Sequence, residues 1–273
     1  MSPIIDGKKI AKEIETELTA KVGAMESAPR LSVVQIGDDP ASASYIKAKA
    51  NTASRVGIIL THHHLPLDTS VKELENLVDN LNKSEDGLII QLPIPKALEP
   101  VLERIKPDND VDGFHSENLG KLVQGISGMV PCTPAGIIEL LYRSGNDPEG
   151  KHVVVVGRST IVGTPLSLLL SQKGVDATVT LCHSRTKSLH EHCKKADILV
   201  AAVGKANMIT KDMVKPGAVI IDVGVNRTSE GLVGDVSHDV RDVASQITPV
   251  PGGVGPMTVV MLMSNTLKSA LEN

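Results

Sequence analysis

Apolar positions in the first ninety residues recur in two rhythms. Ile10, Ile14, Leu18 and Val22 come every four residues, which predicts one face of a helix. Leu31–Ile36 is a short apolar run closed by Gly37-Asp38-Asp39-Pro40, the pattern of a strand and its turn. A helix is expected from Ala41 to Arg55 and a second strand over Gly57–His64. Ser70-Val71-Lys72-Glu73 has capping-box spacing, and Val71, Leu74, Leu77, Val78 and Leu81 give the helix behind it an apolar stripe. Leu88-Ile89-Ile90-Gln91-Leu92 reads as a third, buried strand ended by Pro93 and Pro95. The order β-α-β-α-β predicts a parallel sheet with helices on both faces.

The rhythm fades between Lys106 and Pro134, where Gly and Pro accumulate; so long an irregular stretch is functional or connects domains. Thr133-Pro134 is expected to open a helix, Thr133 as its cap, running to Tyr142. A second alternating unit follows, with strands at His152–Val156, Ala177–Cys182, Asp197–Val200 and Ala218–Asp222 and a helix from Pro165 to Lys173. The last helix, Pro256 to about Leu271, is apolar on nearly every side and is expected to be buried, packing back on the first domain. The fold class is α/β, in two domains.

Composition narrows the function. The 273 residues carry 28 Lys and Arg against 32 Asp and Glu, a net charge of −4, which argues against a nucleic-acid or polybasic membrane surface. No apolar run approaches the roughly 18 residues of a membrane span. Met1–Lys12 lacks the apolar core of a signal peptide, so a cytoplasmic protein is expected. Cys132, Cys182 and Cys193 are too scattered for a disulfide framework and read as buried small hydrophobes. With two Tyr, one Phe and no Trp, the core must be aliphatic.

The strongest chemical signal is Val156-Gly157-Arg158-Ser159-Thr160-Ile161-Val162-Gly163-Thr164-Pro165. A buried strand runs into a glycine loop that opens a helix, Thr164 expected as its cap. Glycine lets backbone approach a pyrophosphate, and a helix N-terminus supplies free N–H groups. The spacing is not G-x-G-x-x-G, and a plain tight turn is the alternative; the strand–loop–helix context favours a dinucleotide. NAD enzymes place an acidic residue after the second strand for the ribose hydroxyls. Here that stretch is Cys182-His183-Ser184-Arg185-Thr186, with a hydroxyl and a guanidinium instead. Arg158 and Arg185 suit a 2′-phosphate, which favours NADP, with a solvated Arg185 as the alternative.

Tyr45 and Lys49 share a helix face at i and i+4, Lys47 points elsewhere, and such a pair suits proton transfer or is simply an exposed pair. Gln91-Leu92-Pro93-Ile94-Pro95 sits at the carboxyl end of the third strand, where open sheets bind ligands. Asp110-Val111-Asp112-Gly113-Phe114-His115 joins paired carboxylates, a histidine and the one Phe, or forms an Asx-turn. Pro249-Val250-Pro251-Gly252-Gly253-Val254-Gly255-Pro256 is a hinge or a ligand-facing loop. His62-His63-His64 and the His190, His192, Cys193 group lack the spacing of a metal site, so no metal is expected.

Together these segments resemble the bifunctional methylenetetrahydrofolate dehydrogenase/cyclohydrolase family of bacterial FolD type. The likeness runs along the chain through Ser44-Tyr45-x3-Lys49, Gln91-Leu92-Pro93-x-Pro95, Asp110–Phe114, Pro131-Cys132-Thr133-Pro134, the Gly157–Pro165 loop, Cys182-His183-Ser184, Ile221–Arg227 and Pro249–Pro256. It implies an N-terminal catalytic domain, 1–133, completed by helix 256–273, and a Rossmann-like NADP-binding domain, 134–255, with the active-site cleft between them. It implies NADP-linked oxidation of 5,10-methylenetetrahydrofolate to the methenyl form, then hydrolysis to 10-formyltetrahydrofolate. Lys49 is then the key catalytic group, with Gln91, Asp112 and Tyr45. Tyr45, Gln91, Pro93, Asp112, Pro251, Gly252 and Gly253 meet the tetrahydrofolate derivative. Gly157, Arg158, Ser159, Ser184, Arg185 and the backbone at Val225 meet NADP. Asp112 is expected on the substrate side, away from Lys49, since a carboxylate there would raise the lysine's pKa. A homodimer is implied too.

Rival readings are a monofunctional NADP-dependent dehydrogenase of the same substrate, a two-domain dehydrogenase of another small substrate, and a non-catalytic NADP sensor. A short-chain dehydrogenase has Tyr-x3-Lys after its glycine loop; here the order is reversed.

Overall fold

The computed structural model describes residues 3–229 and 231–272. In chain order the elements are α1 (Gly7–Gly23), β1 (Arg30–Ile36), α2 (Pro40–Val56), β2 (Ile59–Leu65), α3 (Val71–Ser84), β3 (Gly87–Ile90), α4 (Ser116–Gln124), α5 (Cys132–Arg143), β4 (His152–Val156), α6 (Gly163–Ser171), β5 (Thr178–Cys182), α7 (Leu189–Cys193), β6 (Ile198–Ala201), β7 (Val219–Asp222), β8 (Asn226–Thr228), β9 (Gly231–Val233), β10 (Gln246–Ile247) and α8 (Val254–Glu272). They form two compact units: Lys12–Cys132 with Val259–Asn273, and Met1–Ala11 with Thr133–Thr258. The start of the chain thus groups with the second half rather than with residues 12–132. Its bonds explain this: Ile5 N–H donates to Ile247 O at 2.9 Å, and Lys8 N–H to Gly252 O at 3.1 Å.

In the unit holding residues 12–132, three parallel strands lie in the order β2-β1-β3. The central strand β1 is buried from Leu31 onward, as a strand covered on both faces requires. Leu74, Val78 and Leu81 of α3 close one core with Val34, Ile36, Leu88 and Ile90. Each fully buried Leu there contributes about 2 kcal/mol. The capping box on α3 forms as its spacing predicts: Ser70 Oγ accepts from Glu73 N–H, and the Glu73 carboxylate accepts from Ser70 N–H. Asp39 caps α2 by accepting from Ser42 N–H at 2.7 Å, and Gly57, at φ 94°, ends it in the left-handed conformation that glycine tolerates.

Some expectations need correction. β3 stops at Ile90, so Gln91 and Leu92 lie just beyond the strand instead of inside it. The 96–104 segment is a 3-10 helix, and α4 occupies part of the stretch read as irregular. On α8, Val260, Leu262, Met263 and Leu267 are buried, but Leu271 is exposed. On β2, His62 and His64 stack with ring centroids 5.8 Å apart, while His63 pairs with Ser32. All three cysteines are unpaired and buried.

The other unit carries a five-stranded sheet, order β10-β7-β6-β4-β5, parallel throughout. β4 stands between β5 and β6, so the chain changes direction across the sheet there, and a crevice opens at the carboxyl ends of such strands. Valines 154 and 156, Leu199, Ala201 and Ile220 build an aliphatic core below it. Two caps differ from expectation. Helix α5 begins at Cys132, and Thr133 Oγ1 lies 2.8 Å from Thr258 Oγ1. Helix α6 begins at Gly163, and Thr164 Oγ1 donates to Arg158 O at 3.2 Å. Among the described residues no helix is long and apolar enough to cross a membrane, and no three His, Cys, Asp or Glu side chains group as metal ligands.

Candidate active site

Helix α2 presents Lys49 inward and Tyr45 outward. Lys49 is 8% exposed, although lysine is seldom buried without a partner, whereas Tyr45 is 48% exposed. The partner is Gln91, one residue past β3: Lys49 Nζ donates to Gln91 Oε1 at 2.9 Å. Gln91 Nε2 donates to Leu92 O at 2.9 Å, so the amide's orientation is fixed and its oxygen faces the lysine.

Asp112 is partly buried. Burial pushes its carboxyl above the ordinary range, and the positive charge of Lys49 acts against that rise. Asp112 is expected on the substrate side, and the charge of Lys49 reaches it there. Asp112 also lines a cavity of about 140 Å³ with Leu92 and Phe114.

Two residues not foreseen as site residues shape the Asp112 turn. Asp110 accepts from the N–H groups of Gly113 at 3.2 Å and His115 at 2.8 Å, and from Asn118 Nδ2 at 3.0 Å. Asn265, on α8, donates from Nδ2 to Val111 O at 2.8 Å and Val130 O at 2.9 Å. Gly113 must be glycine: its φ is 76°, and a Cβ there would stand 2.5 Å from the Val130 carbonyl carbon.

In the other unit the glycine loop is tightly folded. Gly157, at φ 123°, would place a Cβ 2.1 Å from Ala202 O, and Gly163 one 1.8 Å from Gly157 O. Ser159 Oγ accepts from Val162 N–H at 3.2 Å, closing the turn before α6. Arg158, Ser159, Ser184 and Arg185 are exposed at the carboxyl ends of β4 and β5. Those ends are adjacent: Val156 pairs with Cys182, and Gly157 N–H donates to Cys182 O at 2.9 Å. Val225 is exposed beyond β7. Gly252 and Gly253 pack on the start of α1, where a Cβ on Gly7 would meet Gly253 O at 1.9 Å; Pro251 beside them is exposed. Tyr45, Lys49, Gln91, Pro93 and Asp112 thus belong to one unit, and the glycine loop, Ser184, Arg185, Val225 and Pro251–Gly253 to the other.

Asp222, inside the Ile221–Arg227 motif but with no role expected of it, and Asp235, outside every motif, are both buried. Asp222 accepts from Gly224, Asp235 and Val236 N–H. Burial pushes its carboxyl up to about 6; the bonds from Asp235 and Val236 N–H oppose this, and the Asp235 charge adds to it. Folded protein therefore keeps this proton up to about pH 6, whereas an unfolded aspartate loses it near 3.8. Stability from this group falls as pH rises through that window. Asp222→Asn removes the titration. The Tm difference, wild type minus variant, is expected to move in the wild type's favour between pH 7 and pH 5, by the equivalent of about 1 kcal/mol. A pH-independent difference refutes this.

A close-packed glycine loop between strand and helix at a parallel-sheet crossover, with a buried lysine bonded to an amide and a partly buried carboxylate elsewhere in the chain, defines a dinucleotide-dependent enzyme built from two α/β units. Residues 5–112 match "Tetrahydrofolate dehydrogenase/cyclohydrolase, catalytic domain", and residues 131–273 match its "NAD(P)-binding domain". The chain belongs to the tetrahydrofolate dehydrogenase/cyclohydrolase family. It is 51% identical to the bifunctional protein FolD of Brevibacillus brevis, across 98% of this chain and 96% of that protein. The crystal structure of the bifunctional FolD enzyme from Campylobacter jejuni superposes with a TM-score of 0.96 at 41% identity, covering 100% and 99% of the two chains. The Trypanosoma brucei dehydrogenase-cyclohydrolase, solved with NADP cofactor and an inhibitor, gives 0.93 at 38%, covering 99% and 98%.

Proposed function

We propose that this protein oxidises 5,10-methylenetetrahydrofolate to the methenyl form with NADP and hydrolyses that product to 10-formyltetrahydrofolate, in one-carbon metabolism. The observation that carries the reading is the bond of buried Lys49 to Gln91, with the lysine's charge reaching Asp112. The folate is bound by Tyr45, Gln91, Pro93 and Asp112, with Pro251, Gly252 and Gly253 as further contacts. On this reading residues 1–133 with helix 256–273 serve the folate, and 134–255 the dinucleotide.

NADP fits the residues present: glycines at 157 and 163 let the loop after β4 pack its backbone closely, since a side chain there would strike Ala202 O or Gly157 O, and the exposed Arg158, Ser184 and Arg185 offer the cations and hydroxyl that a 2′-phosphate would need. When bound, NADP accepts the hydride. Loss of hydride from the methylene carbon leaves a resonance-stabilised amidinium, so the protein's task in that step is orientation. Tyr45 lies along the folate ring face, and Asp112 accepts from the pterin's amino and ring N–H groups. Hydrolysis then needs a base for water. Lys49 Nζ donates one N–H to Gln91 Oε1, and the lone pair of the amine takes a proton from water as the water oxygen bonds to the methenyl carbon.

Mixing the protein with methylenetetrahydrofolate and NADP tests both steps by absorbance. Methenyl product must form, and then decay to the 10-formyl compound faster than without enzyme. Formation with uncatalysed decay leaves a monofunctional dehydrogenase, and no formation rejects the reading.

The protein is also read as a homodimer. The β8–β9 hairpin exposes Leu232, and its short strands form a separate two-stranded sheet whose edge a second copy can pair across a two-fold axis. Light scattering at low micromolar concentration must give twice the mass of one chain; a single-chain mass rejects the dimer. Its compartment is read as the cytoplasm, which suits three unpaired buried thiols.

A further inference from the structure

Asp235 is fully buried, yet its carboxylate has four donors. Oδ2 accepts from Val203 N–H at 2.7 Å and Gly204 N–H at 2.9 Å. Oδ1 accepts from Lys205 N–H at 2.7 Å and Asn226 Nδ2 at 2.9 Å. Three successive backbone amides therefore converge on one side chain, a concave arrangement that holds an anion. Here the anion is internal, and the consequence is mechanical: residues 203–205 cannot move without breaking charge-assisted bonds.

The place of those residues gives the bonds their meaning. Val203–Lys205 follow β6, and Asn226 begins β8 just after β7. Ala202 O touches the space of Gly157, at the head of the loop after β4. Asp235 thus ties the loop after β6 to the one after β7, beside the crossover between β4 and β6. Asn226 is the neighbour of Val225, an assigned cofactor contact. The surroundings are built to receive this carboxylate: a Cβ on Gly224 would lie 2.1 Å from Asp235 Cγ, and Asp235 N–H is itself held by Asp222 Oδ1 at 2.9 Å.

We propose that Asp235 is a positioning residue for the NADP site, fixing residues 203–205 and the Val225-Asn226 backbone against the bound dinucleotide without touching it. The proposal rests on the NADP-dependent reading above. Asp235→Asn keeps the shape but replaces one acceptor oxygen by a donor, so an amide now facing Nδ2 loses its partner and the loop shifts. Asn226→Ala removes one of the four donors to the carboxylate, together with the longer bond from Nδ2 to Val233 O at 3.4 Å, and leaves the carboxylate in place.

The expected result for Asp235→Asn is a rise of at least about tenfold in NADP KM and in NADPH Kd from fluorescence titration. The KM for methylenetetrahydrofolate is expected to stay within about threefold, as is kcat at saturating NADP. Asn226→Ala is expected to raise NADP KM by about threefold, in the same direction. An unchanged NADPH Kd in both variants overturns the proposal. So does a parallel loss in both KM values and kcat, which marks general structural damage. If Asp235→Asn does not fold, Asn226→Ala alone decides: a normal NADP KM overturns it. Wild type that forms no methenyl product with NADP rejects the functional reading instead, and the two failures are separate.

Discussion

Lys49→Met is expected to slow hydrolysis of methenyltetrahydrofolate by at least about a hundredfold, the lower end of general acid–base catalysis, and to slow hydride transfer less. Methionine keeps the length and helix preference of the lysine, so α2 persists. What disappears is the amine that donates to Gln91 Oε1. Hydrolysis loses the base for its water. Hydride transfer keeps the other contacts that orient folate and dinucleotide, so methenyl product accumulates during turnover.

Lys47→Met serves as the control, because Lys47 is exposed on the other face of the same helix, and little change is expected. Equal loss of both activities assigns Lys49 to binding. Near-normal hydrolysis removes it from the mechanism and turns attention to Asp112, whose carboxyl burial has pushed toward a more basic range.

How far the sequence was legible depends on how local the cause was. The α1 stripe, β1, β4, β6 and β7 were readable because their apolar periods are set by burial of each element's own residues. Helix α4 was not: its start is fixed by His115 Nδ1 accepting from Glu117 N–H, and its first turn by Asn118 reaching Asp110. The 96–104 helix lies among prolines that argue against any helix. At the candidate site, Lys49, Gln91 and Asp112 were singled out from their motifs, and the structure adds the bond between the first two.

Asn265, Asp222 and Asp235 were missed for a physical reason. Their partners are mainly backbone groups outside any one element, 154 residues away for Asn265 and Val111, 30–32 for Asp235 and Val203–Lys205, and up to 14 for Asp222. Such bonds leave no period. A trace did exist, in glycines at 224 and 234: each sits where a side chain would collide with one of the two buried carboxylates. Gly-Asp and Asp-x-Gly steps beyond apolar strands deserve reading as packing around a buried charge.

The second large effect is expected at the cofactor. Arg158→Ala should raise NADP KM by about tenfold to a hundredfold, since one charge-assisted hydrogen bond is worth about 1.5–3 kcal/mol. NAD, which lacks the 2′-phosphate, should lose less than about threefold. The structure supports this separation of effects. Gly157 and Gly163 hold the loop by backbone packing, Thr164 Oγ1 donates to the Arg158 carbonyl, and the residue is exposed. Removing its side chain therefore subtracts a cation and leaves the cradle. Arg185 rises from the adjacent strand end, and its own truncation should act in the same direction. Arg158→Lys should recover part of the affinity, as a point charge without the planar fork. Steady-state kinetics with both cofactors decides: equal loss for NADP and NAD assigns Arg158 to the loop, and wild type preferring NAD overturns the assignment of the 2′-phosphate site.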